Sequence, residues 1–191
     1  MQTTGGGTFS SADRSGGSTR KPDADDEPAG MDDVNPRRSA AQLIAAVRWF
    51  ALATLDEHGS PALSYVPFAA AGGAFAIVAS RLAAHTANLL ARRPATIILV
   101  DADARGDAYA QPRLSIQVSA CPQPRGSAEA DAIWSALVAR HGATATILRT
   151  LPDFEAISLA PGTGRLVSGF ASAHDLDASA IVDSLRTASL P

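Results

Sequence analysis

The sequence predicts a mainly β protein, an antiparallel barrel of short strands with flanking helices. Seven apolar or alternating segments lie between residues 49 and 171, several joined by turns too short for a parallel crossover. The helical segments between them are short and irregularly placed, which argues against a doubly wound sheet. Across 191 residues, 46% are hydrophobic and 18% charged, enough apolar material for one domain with a sizeable core.

The first 35 residues stand apart. They mix Gly, Ser, Pro and Asp, hold Phe9 as their one aromatic residue, and carry three cations against seven carboxylates. Such a segment buries too little apolar surface to offset the entropy of ordering it, so residues 1–35 are expected to be a disordered acidic tail and residues 36–191 the domain. No apolar run follows the N-terminus, so no secretory signal is expected.

From Ser39 the pattern becomes regular. SAAQLIAAVR reads as a helix with Ser39 and Gln42 placed as a capping box. WFALATL (49–55), PALSYVPF (61–68) and AFAIVAS (74–80) read as a three-stranded meander, with turns at Asp56–Gly59 and at AAAGG (69–73). LAAHTANLLA (82–91) suits a helix stopped by Arg92, Arg93 and Pro94. ATIILVD (95–101) is the most apolar strand, and RLSIQVSAC (113–121) alternates. SAEADAIWSALVAR (127–140) and Ala143–Leu151 are helical. FEAISLA (154–160) and GRLVSGFA (164–171) end the sheet before a last helix at Ala178–Thr187.

Composition excludes several chemistries. A formal net charge of −3 gives no general attraction to nucleic acid or anionic lipid. The uncharged stretch from Gly59 to Ser80 is broken by Pro61, Pro67 and Gly72-Gly73, so it suits two strands better than a membrane helix. A cytoplasmic protein is expected, with no membrane and no nucleic-acid partner. Cys121 is the sole cysteine, which rules out an internal disulfide and a multi-cysteine metal site. Lys21 is the only lysine and falls in the tail, so the domain lacks a lysine for a pyridoxal imine or a P-loop. The histidines His58, His85, His141 and His174 show no metal-binding spacing, and no metal is expected.

One constellation bears on ligands. SRLAAHTANL (80–89) follows a strand and sets Ser80, His85, Thr86 and Asn88 around the start of a helix. Unpaired N–H groups and the partial positive charge of a helix N-terminus suit a phosphate, and hydroxyl and imidazole donors could complete its cage. The alternative is plain capping by Thr86 and Asn88 beside a half-exposed His85. Arg113, opening an alternating strand, reads as a rim residue or an anion contact.

Five segments in order, LATLDEHGSPALSYVPF, SRLAAHTANLLARRP, GDAYAQPRLSIQ, LPDF and RLVSGFASA, resemble the pyridoxamine-5′-phosphate-oxidase-like flavoproteins. Within these they are most similar to the branch related to heme-degrading HugZ-type proteins, over about residues 40–175. The resemblance implies a split β-barrel homodimer with FMN at the subunit interface. Ser64, Tyr65 and Val66 would then line the flavin ring, and Ser80, His85, Thr86 and Asn88 would hold the phosphate with help from Arg113. Ala84, His85 and Thr86 stand where the oxidase has Ser-Arg-Lys, and its C-terminal Trp and Arg-His motif have no counterpart, so oxidation of pyridoxamine phosphate is not expected. The expectation is an FMN oxidoreductase with a small-molecule substrate or electron donor. The alternatives are a heme-binding or heme-degrading protein and a non-enzymatic flavin or deazaflavin carrier. For heme, His174 is the imaginable axial ligand, although ASAHDLD reads as a surface turn.

Overall fold

The computed structural model describes residues 35–101, 106–169 and 172–189. The first helix, α1 (Pro36–Ala46), starts earlier than the Ser39–Gln42 capping box implies. Asn35 is its N-cap, accepting from the N–H groups of Arg37 and Arg38, and Pro36 occupies the first helical position. An Asn-Pro start satisfies orphan donors and presets φ, so the helix nucleates there and Ser39 is already helical.

The hairpin of β1 (Trp49–Leu55) and β2 (Pro61–Pro67) has the expected bounds and antiparallel register, from Trp49 opposite Pro67 to Leu55 opposite Pro61. Asp56 Oδ1 organises its turn by accepting from the N–H groups of His58 and Ser60, both at 2.8 Å. The expected meander ends there. Ala69–Ala71 forms a strand of its own, β3, which pairs with β4 (Ala74–Ser80) across Gly72-Gly73, at φ 61° and 78°. Two residues of positive φ make the tight hairpin turn that matches strand twist, so the alanines before them become a strand arm rather than part of a loop.

After α2 (Ala84–Leu90) come β5 (Ala95–Val100) and β6 (Arg113–Gln123). Helices α3 (Ala128–His141) and α4 (Ala143–Thr150) precede β7 (Phe154–Gly169), β8 (Ser172–Leu176) and α5 (Ala178–Ala188). The two strands expected at 154–160 and 164–171 are thus one 16-residue strand, and the end of the second, at 170–171, lies outside the described residues. A β-bulge in β6 between Ile116 and Val118 lets this long pair bend, so the Pro161–Gly164 stretch carries the strand onward instead of turning it. Residues 172–176, read from sequence as a surface turn, form β8 against β7.

The order along the sheet is β2-β1-β5-β6-β7-β4-β3, with β8 beside β7 and every pairing antiparallel. The chain runs directly from β2, at one end of that order, into β3 at the other, as a curled sheet requires. This is the expected split β-barrel. Its interior is filled by rows of paired side chains such as Leu52, Ile97 and Ile116, all fully buried, and by the Phe50, Phe68 and Phe75 rings at 5.1–6.1 Å. A second cluster packs Ile133, Trp134 and Leu137 of α3 onto Ala69, Ala76 and Ala156. Gly164 allows α5 to approach β7, since a Cβ there would lie 2.9 Å from both Ile181 Cδ1 and the Ser115 carbonyl oxygen.

Candidate functional site

Strand alternation divides the expected ligand residues into two groups. Ser64 pairs with Leu52 and therefore faces the barrel interior, as does Val66, which is buried; Tyr65, between them, faces out. Three successive side chains cannot line one face of a flavin ring, and only the backbone of β2 could do so. Arg113 lies on β6, three strands from β2, an odd number of residues from the interior Ile116, and so projects from the outer face with Tyr65. The structure does not bring Arg113 to the interior Ser64 or to its partner His85.

The inner group surrounds the turn from β4 into α2. His85 Nδ1 meets Ser64 Oγ at 3.0 Å, and burial pushes the His85 pKa below the usual imidazole range. That lowering disfavours the charged imidazolium at this turn. Thr86 is fully buried and donates to the Ser80 carbonyl at 2.6 Å. Asn88 is buried too; its amide donates to Thr54 Oγ1 at 3.0 Å and its Oδ1 accepts from Arg93 at 3.0 Å. Neither residue caps the helix: the N-cap is Ala83, with no side-chain bond. Ser80 Oγ donates to Asp153 Oδ2 at 2.5 Å and accepts from the Leu82 N–H at 3.1 Å. Arg81 pairs with Glu155 through both Nε and Nη2. Of the residues expected to hold a phosphate, Ser80 is bonded to a carboxylate and Thr86, Asn88 and His85 are bonded to Ser80, Thr54 and Ser64, which makes this a poor cradle for the phosphate of FMN.

The outer group is of another kind. Leu63 is 74% exposed and Tyr65 61% exposed, and the Tyr65 ring stacks on Trp49 with centroids 3.9 Å apart. Leu63, Tyr65, Trp49, Ile98 and Val100 make an apolar, aromatic strip across β2, β1 and β5. Toward β6–β8 the same face turns polar, with a cleft of about 690 Å³ lined by Thr96, Ser115, Gln117, Arg165 and Asp175 among others. Arg113 stands half-buried on this side, its guanidinium reaching the Gln111 carbonyl at 3.5 Å, while Arg165 pairs with exposed Asp175 at 2.7 Å. The surface is apolar at one side and carries arginines at the other.

Sequence reasoning missed Trp49, Leu63, Asp153 and Glu155. PALSYVP held a signal: its alternate residues Leu63 and Tyr65 are as apolar as the inward Val66, which a strand with one solvated face would not need. Asp153 lay in the LPDF segment without a role and nothing marked Glu155, because only the β4–β7 pairing, with Ala79 opposite Glu155 and Ser80 opposite Phe154, brings the two carboxylates to the turn.

Fold and site together define a member of the pyridoxamine 5′-phosphate oxidase family, to which the chain belongs; the family match spans residues 37–168. Heme oxygenase HutZ of Vibrio cholerae is 28% identical over 137 residues, 69% of this chain and 76% of that protein. Among solved structures, a heme binding protein from Mycobacterium smegmatis superposes with a TM-score of 0.70 at 27% identity, over 78% of this chain and 60% of that one. Campylobacter jejuni ChuZ does so with a TM-score of 0.65 at 26% identity, over 71% of this chain and 56% of that one. The chain thus spans somewhat over half the length of the last two.

Proposed function

We propose that this protein binds heme as a two-fold dimer, holding the macrocycle against the outer face of β2, β1 and β5. The observation that carries this reading is the amphipathic outer face, with exposed Leu63 and Tyr65 at one side and Arg113 and Arg165 at the other. Heme has the matching distribution, a broad apolar plate with two carboxylates at one edge. Leu63, Tyr65 and Trp49 would pack on the plate, and Arg113 would meet a propionate through a charge-assisted bond, with Arg165 able to join only by exchanging Asp175 for the second. When bound, heme supplies redox-active iron able to take up dioxygen. The names of the relatives from Vibrio cholerae and Mycobacterium smegmatis support the same ligand. A second copy supports the reading physically: it would cover an apolar strip and the open edge of β2 that a lone chain leaves in water.

His58, exposed at the hairpin between β1 and β2, is tied neither to the β4–α2 turn nor to a backbone carbonyl; His174, bonded through Nε2 to Ser172 at 3.1 Å, stands opposite interior Leu166 and so points away from the outer face. Alanine variants of each, read by Soret position, assign the iron ligand. A cytoplasmic setting belongs to the same proposal, supported by a free, exposed Cys121 and by the lack of a membrane-spanning helix among the described residues.

The flavoprotein reading, with FMN serving a small-molecule substrate or electron donor, draws on family membership. Its phosphate lacks a fitting cradle, and we place it second. Hemin titration of the purified protein separates the two. The expected outcome is a Soret transition saturating near one heme per chain; no Soret change, with a yellow protein as purified, would sink the heme reading.

A further inference from the structure

We infer that Asp153 and Glu155, the residues flanking Phe154 at the start of β7, determine ligand choice by closing the β4–α2 turn to phosphate. The inference stands apart from the heme reading, since a chain could bind heme and still accept a phosphorylated flavin.

The two residues that open the turn, Ser80 and Arg81, each have a side-chain partner in one of these carboxylates. The single hydroxyl proton of Ser80 goes to Asp153, so Ser80 turns only lone pairs toward an incoming anion. Those lone pairs already take the Leu82 N–H, and the Arg81 N–H goes to the Asp153 carbonyl at 2.9 Å. The side chain of Arg81, the one cation between Ser80 and Ala91, is held by Glu155, whose own side chain is only 16% exposed. The Thr86 hydroxyl is spent on the Ser80 carbonyl, and half-buried His85 meets Ser64 through Nδ1. Asp153 and Glu155 bring two carboxylates directly onto Ser80 and Arg81, with the Arg125 and Arg93 guanidiniums turned to the Pro152 carbonyl and to Asn88, and a phosphate monoester carries close to two negative charges at pH 7. To bind here it would have to displace Glu155 from Arg81 and Asp153 from Ser80 while sitting beside both. Replacing each carboxylate with its carboxamide keeps the shape and removes the repulsion.

FMN and riboflavin share the ring and ribityl chain and differ only in the phosphate, so their affinity ratio isolates the turn. Fluorescence-quenching titrations of the full chain with both flavins are the test. In the wild type, FMN should bind no more tightly than riboflavin. In the Asp153→Asn, Glu155→Gln double variant the ratio should move at least tenfold toward FMN, with hemin binding unchanged. A wild-type preference for FMN of tenfold or more would overturn the inference. So would a folded double variant whose FMN-to-riboflavin ratio moves less than tenfold, including one that binds neither flavin. Should the double variant fail to fold, Glu155→Gln alone, which touches only the partly exposed pair with Arg81, carries the same comparison; an unmoved ratio there also counts against it.

Discussion

The β4–α2 turn and the outer face of β2–β1–β5 have opposite characters. The turn is rich in groups associated with ligands, a serine, a threonine, an asparagine, a histidine and an arginine, yet they are bonded to one another and to two carboxylates. The outer face is poor in such groups and leaves Leu63 and Tyr65 in water. Polar residue types are therefore a weak guide to a site. What counts is whether a donor is already partnered, and whether an apolar side chain is left without cover.

The largest effect should come from charging the outer face. Leu63→Glu with Tyr65→Glu should convert the proposed dimer to monomers by light scattering and weaken hemin binding at least tenfold, while the far-UV circular dichroism of the barrel changes little. Unchanged assembly and hemin affinity would make the apolar strip an ordinary surface. At the turn the expected effect is on stability. Asn88→Ala orphans Thr54 Oγ1 and an Arg93 donor inside the fold, which should cost about 2 kcal/mol and lower the melting temperature by roughly 4–8 °C. A variant as stable as the wild type would mean that Asn88 is not structural.

A smaller effect concerns acid. His85 is held below the usual imidazole value of 6.5 by burial. Burial likewise depresses His141, aided by Arg48 and Arg140 and opposed by its bond to the Phe68 carbonyl. The unfolded chain therefore takes up protons first. Their contribution to stability is complete above pH 6.5 and is lost as the pH falls from there toward each folded-state pKa. Melting temperatures at pH 7.5 and 5.5 should differ, and the gap should narrow in a His85→Gln, His141→Gln variant. The smallest effect is at the rim. Arg113→Gln should weaken hemin several-fold, by about 1 kcal/mol, with stability unaltered.

The strands were legible where one physical signal dominated. WFALATL and AFAIVAS alternate or run apolar over seven residues and form strands with the expected bounds. At α1 the sequence holds two start signals, Asn35-Pro36 and the Ser39–Gln42 capping box, and the helix takes the earlier one because Pro36 presets φ at its first position. The strand at Ala69–Ala71 was hidden because three alanines carry no β signal; the turn that follows makes them one. For the site, the structure brings His85 onto Ser64, a contact the sequence did not announce, while Thr86 and Asn88 are buried and bonded within the fold and Arg113 belongs to the other face.

Local chemistry was enough to settle an antiparallel barrel without lysine, disulfide or phosphate loop, because alternation, turn residues and composition act over a few neighbours. Which strand lies beside which, and so which side chains share a face, was decided only in three dimensions. Those pairings set Asp153 and Glu155 beside Ser80 and Arg81, 70 residues away or more. A donor reads the same in sequence whether its partner is water, a ligand or a distant carboxylate; only the folded chain distinguishes them.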